Sequence, residues 1–197
     1  MFTMKKIFSI FSLLLLTVSV FSQKIVVEDI YYQIKQNSYV EVTRGDQQYV
    51  GHVVIPSTVD YGGKTYPVTA IGGAAFQNCP NLTSVVFNAR NCTVAHTILG
   101  DNVTPAFNNP AITRVEFGPM VNNIPNYIFW GCKGITDVVF GDNIETIGQS
   151  AFYGCTSLNN ITIPEGVTAI GGRAFANCKS LNTITFNALN CVNMVTM

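Results

Sequence analysis

Apolar positions in this chain recur at a fixed step of 23 residues. Phe129, Phe152 and Phe175 are separated by this step. Two further sets of positions keep the same step: Cys132, Cys155 and Cys178, and Ile112, Ile135, Leu158 and Leu181. The repeated unit reads Ile-Gly-x-x-Ala-Phe-x-x-Cys-x-x-Leu-x-x-Ile-x-Ile, most clearly over 147–163 and 170–186. Such a period indicates stacked units, because a single unit cannot bury its own apolar face.

Each unit contains one predicted strand with apolar residues at its first, fourth and sixth positions. The strands are predicted at 82–87, 112–117, 135–140, 158–163 and 181–186. Two of the resulting core ladders are Val85, Val115, Val138, Ile161 and Ile184, and Phe87, Phe117, Phe140, Ile163 and Phe186. The Leu-x-x-Leu-x-Leu spacing predicts a leucine-rich repeat solenoid, a right-handed coil with one parallel strand per rung. This fold is α/β by convention, but here we expect mostly β, with short return strands and short helical turns.

The return leg of each unit carries two further ladders. One is Ile71, Ile124, Ile147 and Ile170, and glycine follows at 72, 148 and 171. We expect these glycines where a Cβ would obstruct the reversal of the chain. The other is an aromatic spine away from the main strands, formed by Phe76, Phe107, Phe129, Phe152 and Phe175.

The first 22 residues predict a secretory signal peptide. Lys5 and Lys6 precede an apolar run over 7–20, and small or moderate residues precede Gln23. The alternative is a membrane anchor, but the run is short for a hydrocarbon core of about 30 Å. We therefore expect an exported chain that begins near Gln23 and contains no transmembrane segment.

Residues 23–67 do not follow the 23-residue step. Their apolar residues alternate with polar ones, which predicts β-hairpins. Terminal units of a solenoid are usually atypical, so we interpret 23–67 as an N-terminal cap and 68–197 as an array of about five rungs. The segment 53–56 is interpreted as the last strand of the cap and is expected to lie already in the register of the rungs.

The array has two predicted irregularities. Residues 88–105 contain an insertion of eight residues, which predicts a bulging loop that either carries a binding function or is a tolerated insertion. Residues 186–191 repeat 87–92, yet the sequence given stops at Met197. We therefore expect that the C-terminal end of the array is truncated.

Composition argues against two classes of partner. Charged residues make up 11% of the chain, hydrophobic residues 48%, and the net charge is zero. A nucleic-acid-binding surface needs clustered Lys and Arg, and so does a polybasic membrane patch. Neither partner is expected.

The repeat units resemble those of the BspA-like bacterial surface leucine-rich repeat family. The resemblance covers about residues 30–191 and includes Ile163-Pro164 and the segments 49–59 and 68–72. It implies a fold of leucine-rich repeats, export to the cell surface and, for some members, binding of host extracellular-matrix or plasma proteins. It implies no catalytic residue. Three positions depart from the pattern: Pro110 in place of Cys, Pro125 in place of Gly, and Ile128 in place of Ala.

The cysteines allow two interpretations. An even number of cysteines in an exported chain suggests disulfides. Equivalent positions on stacked rungs point the same way, however, which favours free, buried thiols over bridges at Cys79, Cys132, Cys155 and Cys178. A metal cluster is less favoured, because no Cys-x-x-Cys is present.

No catalytic motif is recognised. His52 and His96 are the only histidines, and neither lies in a metalloprotease or hydrolase motif. The carboxylates of Glu116, Asp137, Asp142 and Glu145 are interpreted as solvated rather than as an acid/base pair. We expect no enzyme, no cofactor and no metal.

Two surfaces are candidates for binding a protein. Arg114, Glu116 and Asp137 occupy outward positions of adjacent strands, with Arg114 and Asp137 within salt-bridge reach. Tyr127, Trp130 and Tyr153 flank the aromatic spine and resemble interface anchors, although Trp130 could simply cover the convex edge. The favoured hypothesis is an exported adhesion or protein-binding module. The alternatives are a structural spacer or fragment of a larger surface protein, and an enzyme acting through Asp137 or Glu116.

Overall fold

The computed structural model describes residues 23–194, so the predicted signal peptide lies outside the described residues. In chain order the strands are β1 (Lys24–Val27), β2 (Ile30–Lys35), β3 (Tyr39–Val42), β4 (Gly51–Ile55), β5 (Thr58–Tyr61), β6 (Lys64–Ile71), β7 (Leu82–Phe87), β8 (His96–Leu99), β9 (Asn102–Pro105), β10 (Arg114–Phe117), β11 (Asn123–Ile124), β12 (Asp137–Val139), β13 (Thr146–Ile147), β14 (Asn160–Ile163), β15 (Ala169–Ile170), β16 (Thr183–Phe186) and β17 (Asn193–Met194).

Residues 23–194 contain no helix, so the prediction of short helical turns is wrong. The segments in question are hydrogen-bonded turns. Each contains a residue with positive φ at an equivalent position: Ala74, Tyr127, Ser150 and Arg173, with φ between 52° and 59°. A left-handed residue interrupts a right-handed helix, which explains why the turns do not extend into helices.

The cap is a five-stranded sheet in the order β1-β2-β3-β6-β5. Its first hairpin joins Val27 and Ile30 through Glu28 and Asp29, whose φ angles are 49° and 60°. Positive φ at both central residues matches the right-handed twist of the flanking strands. The alternating burial of β2 places Ile30, Tyr32 and Ile34 against the end of the solenoid.

The main strands form the predicted parallel sheet. Its order is β12-β10-β7-β4, and β14 and β16 form a further parallel pair. Val53 pairs with Val85, and Val85 with Val115. The prediction of rung register is therefore confirmed for residues 53–55. The prediction that this is the last strand of the cap is wrong, because β5 and β6 follow it and complete the cap sheet. The inward residues are buried because the strands stack in register, and side chains alternate between the two faces.

The return strands form a second parallel sheet in the order β11-β13-β15-β17. Ile124, Ile147 and Ile170 align across it and are buried. The glycine that follows this ladder is needed for close approach of adjacent rungs. A Cβ at Gly148 would lie 2.6 Å from the carbonyl oxygen of Ile124, and one at Gly171 would lie 2.4 Å from the backbone nitrogen of Gln149.

The aromatic spine is confirmed. The ring centroids of Phe76 and Phe107 are 4.3 Å apart, and those of Phe107 and Phe129 are 4.7 Å apart. The spine continues through Phe152, 5.8 Å from Phe129, to Phe175, 5.5 Å from Phe152. These rings connect the rungs through one continuous row of contacts within the core.

The segment over 88–105 is only partly a bulge. Ala89, Cys92 and Ala95 are fully buried, and Val94 bridges to Ala70 of β6. Only the antiparallel hairpin of β8 and β9 projects, with Leu99 exposed near its tip. Insertion has therefore added a hairpin to a rung that otherwise keeps its core.

The cysteines of the described residues are free thiols, and all are buried except the half-buried Cys191. Three ladder thiols donate to the carbonyl of the spine residue on the preceding rung: Cys132 to Phe107 at 3.7 Å, Cys155 to Phe129 at 3.4 Å, and Cys178 to Phe152 at 3.2 Å. The repeated cysteine thus acts as a small apolar side chain with one weak donor.

The core ladders are not buried along their whole length. Ile184 and Phe186 of β16 are 43% and 42% exposed, although the repeat pattern predicts them as core. Within residues 23–194, β16 pairs with β14 alone, so its far edge has no neighbouring strand. A solenoid position is buried only when a rung packs on each side of it.

Candidate protein-binding surfaces

The outward side of the main sheet, here termed the strand face, carries two rows of side chains. Because Val85 and Val115 point inward, the residues beside them point outward. One row is His52, Ser84, Arg114 and Asp137, and the other is Val54, Val86, Glu116 and Val139. The strand face thus carries a charged cluster on β10 and β12, with valines beside it.

Arg114 contacts both carboxylates of this cluster. Its guanidinium forms an ion pair with Asp137 on the adjacent strand and a second one with Glu116, in which Nη2 and Oε2 are 3.2 Å apart. All three side chains are about half exposed, so these ion pairs contribute no more than about 1 kcal/mol to stability. Two carboxylates against one guanidinium leave an excess of negative charge on the strand face.

Tyr127, Trp130 and Tyr153 form an aromatic row. The ring centroids of Tyr127 and Trp130 are 6.4 Å apart and those of Trp130 and Tyr153 are 5.9 Å apart, both in edge-to-face geometry. All three side chains are half-buried. The structure therefore brings together the three residues singled out in the sequence, but each presents only part of its ring to solvent.

His96 extends the aromatic row from hairpin β8–β9. Its ring centroid lies 5.1 Å from that of Tyr127, again edge-to-face. Burial lowers the pKa of His96, and a hydrogen bond with the backbone of Asn126 acts in the opposite direction. Sequence reasoning missed this contact, because the insertion places His96 outside the 23-residue step.

The polar groups offer little for metal binding or acid/base chemistry. In the part of the chain that the structure describes, no group of three or more His, Cys, Asp or Glu could hold a metal ion. Asp142 is exposed on a turn and Glu145 is exposed just before β13, as expected for solvated carboxylates. Asp137 and Glu116 share one guanidinium instead of flanking an open cavity.

The repeat units match a known family pattern. Residues 69–194 match the BspA type leucine rich repeat region in six copies. The chain belongs to the BspA-type leucine-rich repeat family. Leucine-rich repeat proteins are generally binding modules, and the matched region contains both Arg114 with its carboxylates and the aromatic row.

Solved structures agree with the leucine-rich repeat fold. The chain is similar to a leucine-rich repeat protein from Bacteroides ovatus ATCC 8483, with a TM-score of 0.61 and 30% identity over 82% of this chain and 40% of that one. It is also similar in fold to the T. pallidum leucine-rich repeat protein, with a TM-score of 0.57 and 22% identity over 82% of this chain and 71% of that one. No curated protein matches the sequence.

The BspA-type chain spans about two fifths of the length of the B. ovatus protein. Among residues 23–194, the structure contains no helix long and apolar enough to cross a membrane. The described part is therefore a repeat array with a hairpin cap. Its strand face lies on the main strands, whereas the aromatic row lies in the turns that join β11 to β12 and β13 to β14.

Proposed function

We propose that this protein is an exported, non-enzymatic module that binds proteins at the bacterial cell surface. Its membership of the BspA-type family supports this proposal, as does the signal peptide predicted over 1–22. The partners that fit best are extracellular-matrix or plasma proteins of a host, which the family resemblance implies.

One observation carries the proposal: the strand face is an ordered sheet that carries a paired charge cluster on β10 and β12. Arg114 and Asp137 are fixed by the pairing of β10 with β12, so their positions are set before a partner arrives. A preorganised surface binds with a smaller loss of side-chain entropy. The excess carboxylate favours a partner segment with a basic group, and the flanking valines favour apolar side chains around it.

The aromatic row is the second contact surface of the proposal. Trp and Tyr are enriched among residues that dominate binding energy. The edge-to-face contact of Trp130 with Tyr153 holds the indole in place, so its free surface can meet a partner without further ordering. Trp130 is half-buried, which also fits a purely structural role. Because the aromatic row and the strand face share no residue, mutation can test each surface separately.

Binding of the secreted chain to immobilised fibronectin, laminin, collagen and fibrinogen tests the proposal. We expect saturable binding to at least one of these proteins. Asp137→Asn should weaken it, whereas Asp142→Asn, which also removes an exposed carboxylate, should not. Trp130→Ala should reduce affinity by roughly thirtyfold if the aromatic row is a hot spot.

Each variant is first compared with the parent chain by thermal unfolding, so that loss of binding is not confused with loss of fold. Lys179→Ala, at an exposed position that is not among the residues named for either surface, serves as the control for a change of surface charge. Failure of the secreted chain to bind any protein of the panel would contradict the proposed class of partner. Equal binding by parent, Asp137→Asn and Trp130→Ala chains would contradict both proposed surfaces.

A further inference from the structure

The main sheet has an open edge at the cap. Within residues 23–194, β4 pairs with β7 alone and is the last strand of its sheet. The cap covers the apolar end of the solenoid, but its strand β3 pairs with β6 on the return leg and not with β4. An unpaired edge offers backbone donors and acceptors to another chain.

The register of β4 shows which backbone groups point to this edge. Asn88 donates its N–H to the carbonyl of Ile55 at 2.8 Å, so Ile55 faces β7. In a parallel pair the N–H and C=O of one residue point to the same side, and alternate residues point to opposite sides. Val53 therefore also faces β7, whereas the N–H and C=O groups of His52 and Val54 face the open edge.

A cleft lies along this edge. Its volume is about 530 Å³, and it separates β4 from the turn between β1 and β2. Three of its lining residues are solvent-exposed valines: Val26, Val50 and Val54, at 53%, 60% and 43% exposure. Clefts of a few hundred Å³ are large enough to enclose several side chains of a ligand.

The cleft is acidic at one end. Glu28 and Asp29, the two turn residues of the first hairpin, both line it. Its lining residues include no lysine or arginine. The cleft therefore combines free main-chain groups, exposed valines and two carboxylates, all within reach of one extended segment.

We propose that an extended peptide segment of a partner protein adds to β4 as a further strand. Its main chain pairs with His52 and Val54, alternate apolar side chains contact the valines, and a basic residue lies near Glu28 and Asp29. Strand addition draws affinity from main-chain hydrogen bonds and specificity from alternate side chains. The row of backbone donors and acceptors favours a peptide over a lipid, which cannot match it. This edge site goes beyond the proposed function, because it requires neither the cluster of Arg114 nor the aromatic row.

The test uses a fluorescein-labelled peptide of alternating valine and threonine with lysine at each end, added to the secreted chain. We expect saturable binding by fluorescence anisotropy, and no binding by the same peptide N-methylated at every amide. Amide hydrogen exchange measured by NMR gives the location. The amides of His52 and Val54 should exchange rapidly in the free protein and at least roughly tenfold more slowly with the peptide bound.

Two lysine substitutions in one row of the strand face provide a matched pair. Val54→Lys places a charge beside the cleft and should weaken peptide binding by at least roughly tenfold. Val139→Lys changes an equally placed valine at the other end of the sheet and should have no effect. Val54→Pro removes the N–H that faces the open edge, where proline is tolerated in a strand, and should weaken binding by roughly three- to tenfold.

Absence of saturable binding up to about 1 mM peptide would overturn the proposal. Binding that leaves the exchange of His52 and Val54 unchanged, or that is equal in the two lysine variants, would also overturn it. Asp137→Asn separates this site from the strand face: it should leave peptide affinity unchanged even where it weakens binding of a matrix protein.

Discussion

The side-chain amide of Asn109 donates a hydrogen bond to the carbonyl oxygen of Phe76 at 3.2 Å. On later rungs, a cysteine thiol occupies this role, as in the bond from Cys132 to the carbonyl of Phe107. Pro110 stands at the cysteine position of this rung and has no donor. Asn109 therefore supplies the hydrogen-bond donor that this rung lacks because Pro110 replaces the cysteine. It is one of two buried polar residues of the described core.

Asn109→Ala should lower the free energy of unfolding by about 1–3 kcal/mol, because it leaves the carbonyl of Phe76 without its donor and removes one of the two donors to the carbonyl of Cys79, which keeps the N–H of Leu82. Urea denaturation measures the change. Asn108→Ala, at the exposed neighbouring position, should have a much smaller effect. Adding Pro110→Cys to Asn109→Ala should recover part of the loss. Equal stability of the parent and Asn109→Ala chains would contradict this role of Asn109.

Phe152→Ala should lower the free energy of unfolding by about 3–5 kcal/mol, because it removes a fully buried ring from the middle of the spine. Phe175→Ala should cost less, since Phe175 is less completely buried and stacks on one side only, against Phe152. Thermal or urea denaturation of the two variants measures the difference. A larger effect at Phe175 than at Phe152 would show that the spine does not stabilise the array by stacking.

Stability should fall as the pH rises above 9, because burial raises the pKa of the ladder thiols. The pKa of Cys132 rises from 9.0 to about 12 and that of Cys178 to about 11, chiefly through burial. The unfolded chain releases these protons near pH 9 while the folded chain retains them, so stability is complete below pH 9 and decreases towards pH 12.

The measurement is urea denaturation across this alkaline range for the parent chain and Cys132→Ala. The variant should lose stability less steeply with pH, whatever its stability at neutral pH. Thiol labelling under native conditions should modify Cys191 first, because the other cysteines are buried. Parallel pH profiles for parent and variant would contradict a contribution from Cys132.

His96 should make the fold less stable in mild acid. Burial lowers the pKa of His96 below its ordinary value of 6.5, so below that pH the unfolded chain binds more protons than the folded chain. The corresponding stability is present above pH 6.5 and is lost as the pH falls. NMR titration of the His96 ring gives its pKa, and urea denaturation at about pH 5 and pH 8 gives the stability difference.

His96→Phe keeps an aromatic contact with Tyr127 and removes the titrating group. It should therefore reduce the loss of stability between pH 8 and pH 5. A pKa of His96 at or above 6.5 would contradict the prediction.

The repeat pattern alone was sufficient to predict the regular rungs. The pairing of Ile147 with Ile170 and the stacking of Phe129 on Phe152 join residues that are one 23-residue step apart, because in a solenoid each rung contacts mainly its neighbours. The same 23-residue step places Arg114 beside Asp137 on the strand face. Wherever the period held, the sequence by itself determined which residues meet.

Only the tertiary structure decided what happens where the period is broken. The contact of His96 with Tyr127, the substitution of Asn109 for a thiol donor, and the open edge of β4 all depend on how non-repeating segments pack in space. No sequence spacing relates these residues, since an insertion or a cap has no equivalent on the next rung. A local repeat fixes neighbouring contacts, whereas caps and insertions are positioned by long-range packing.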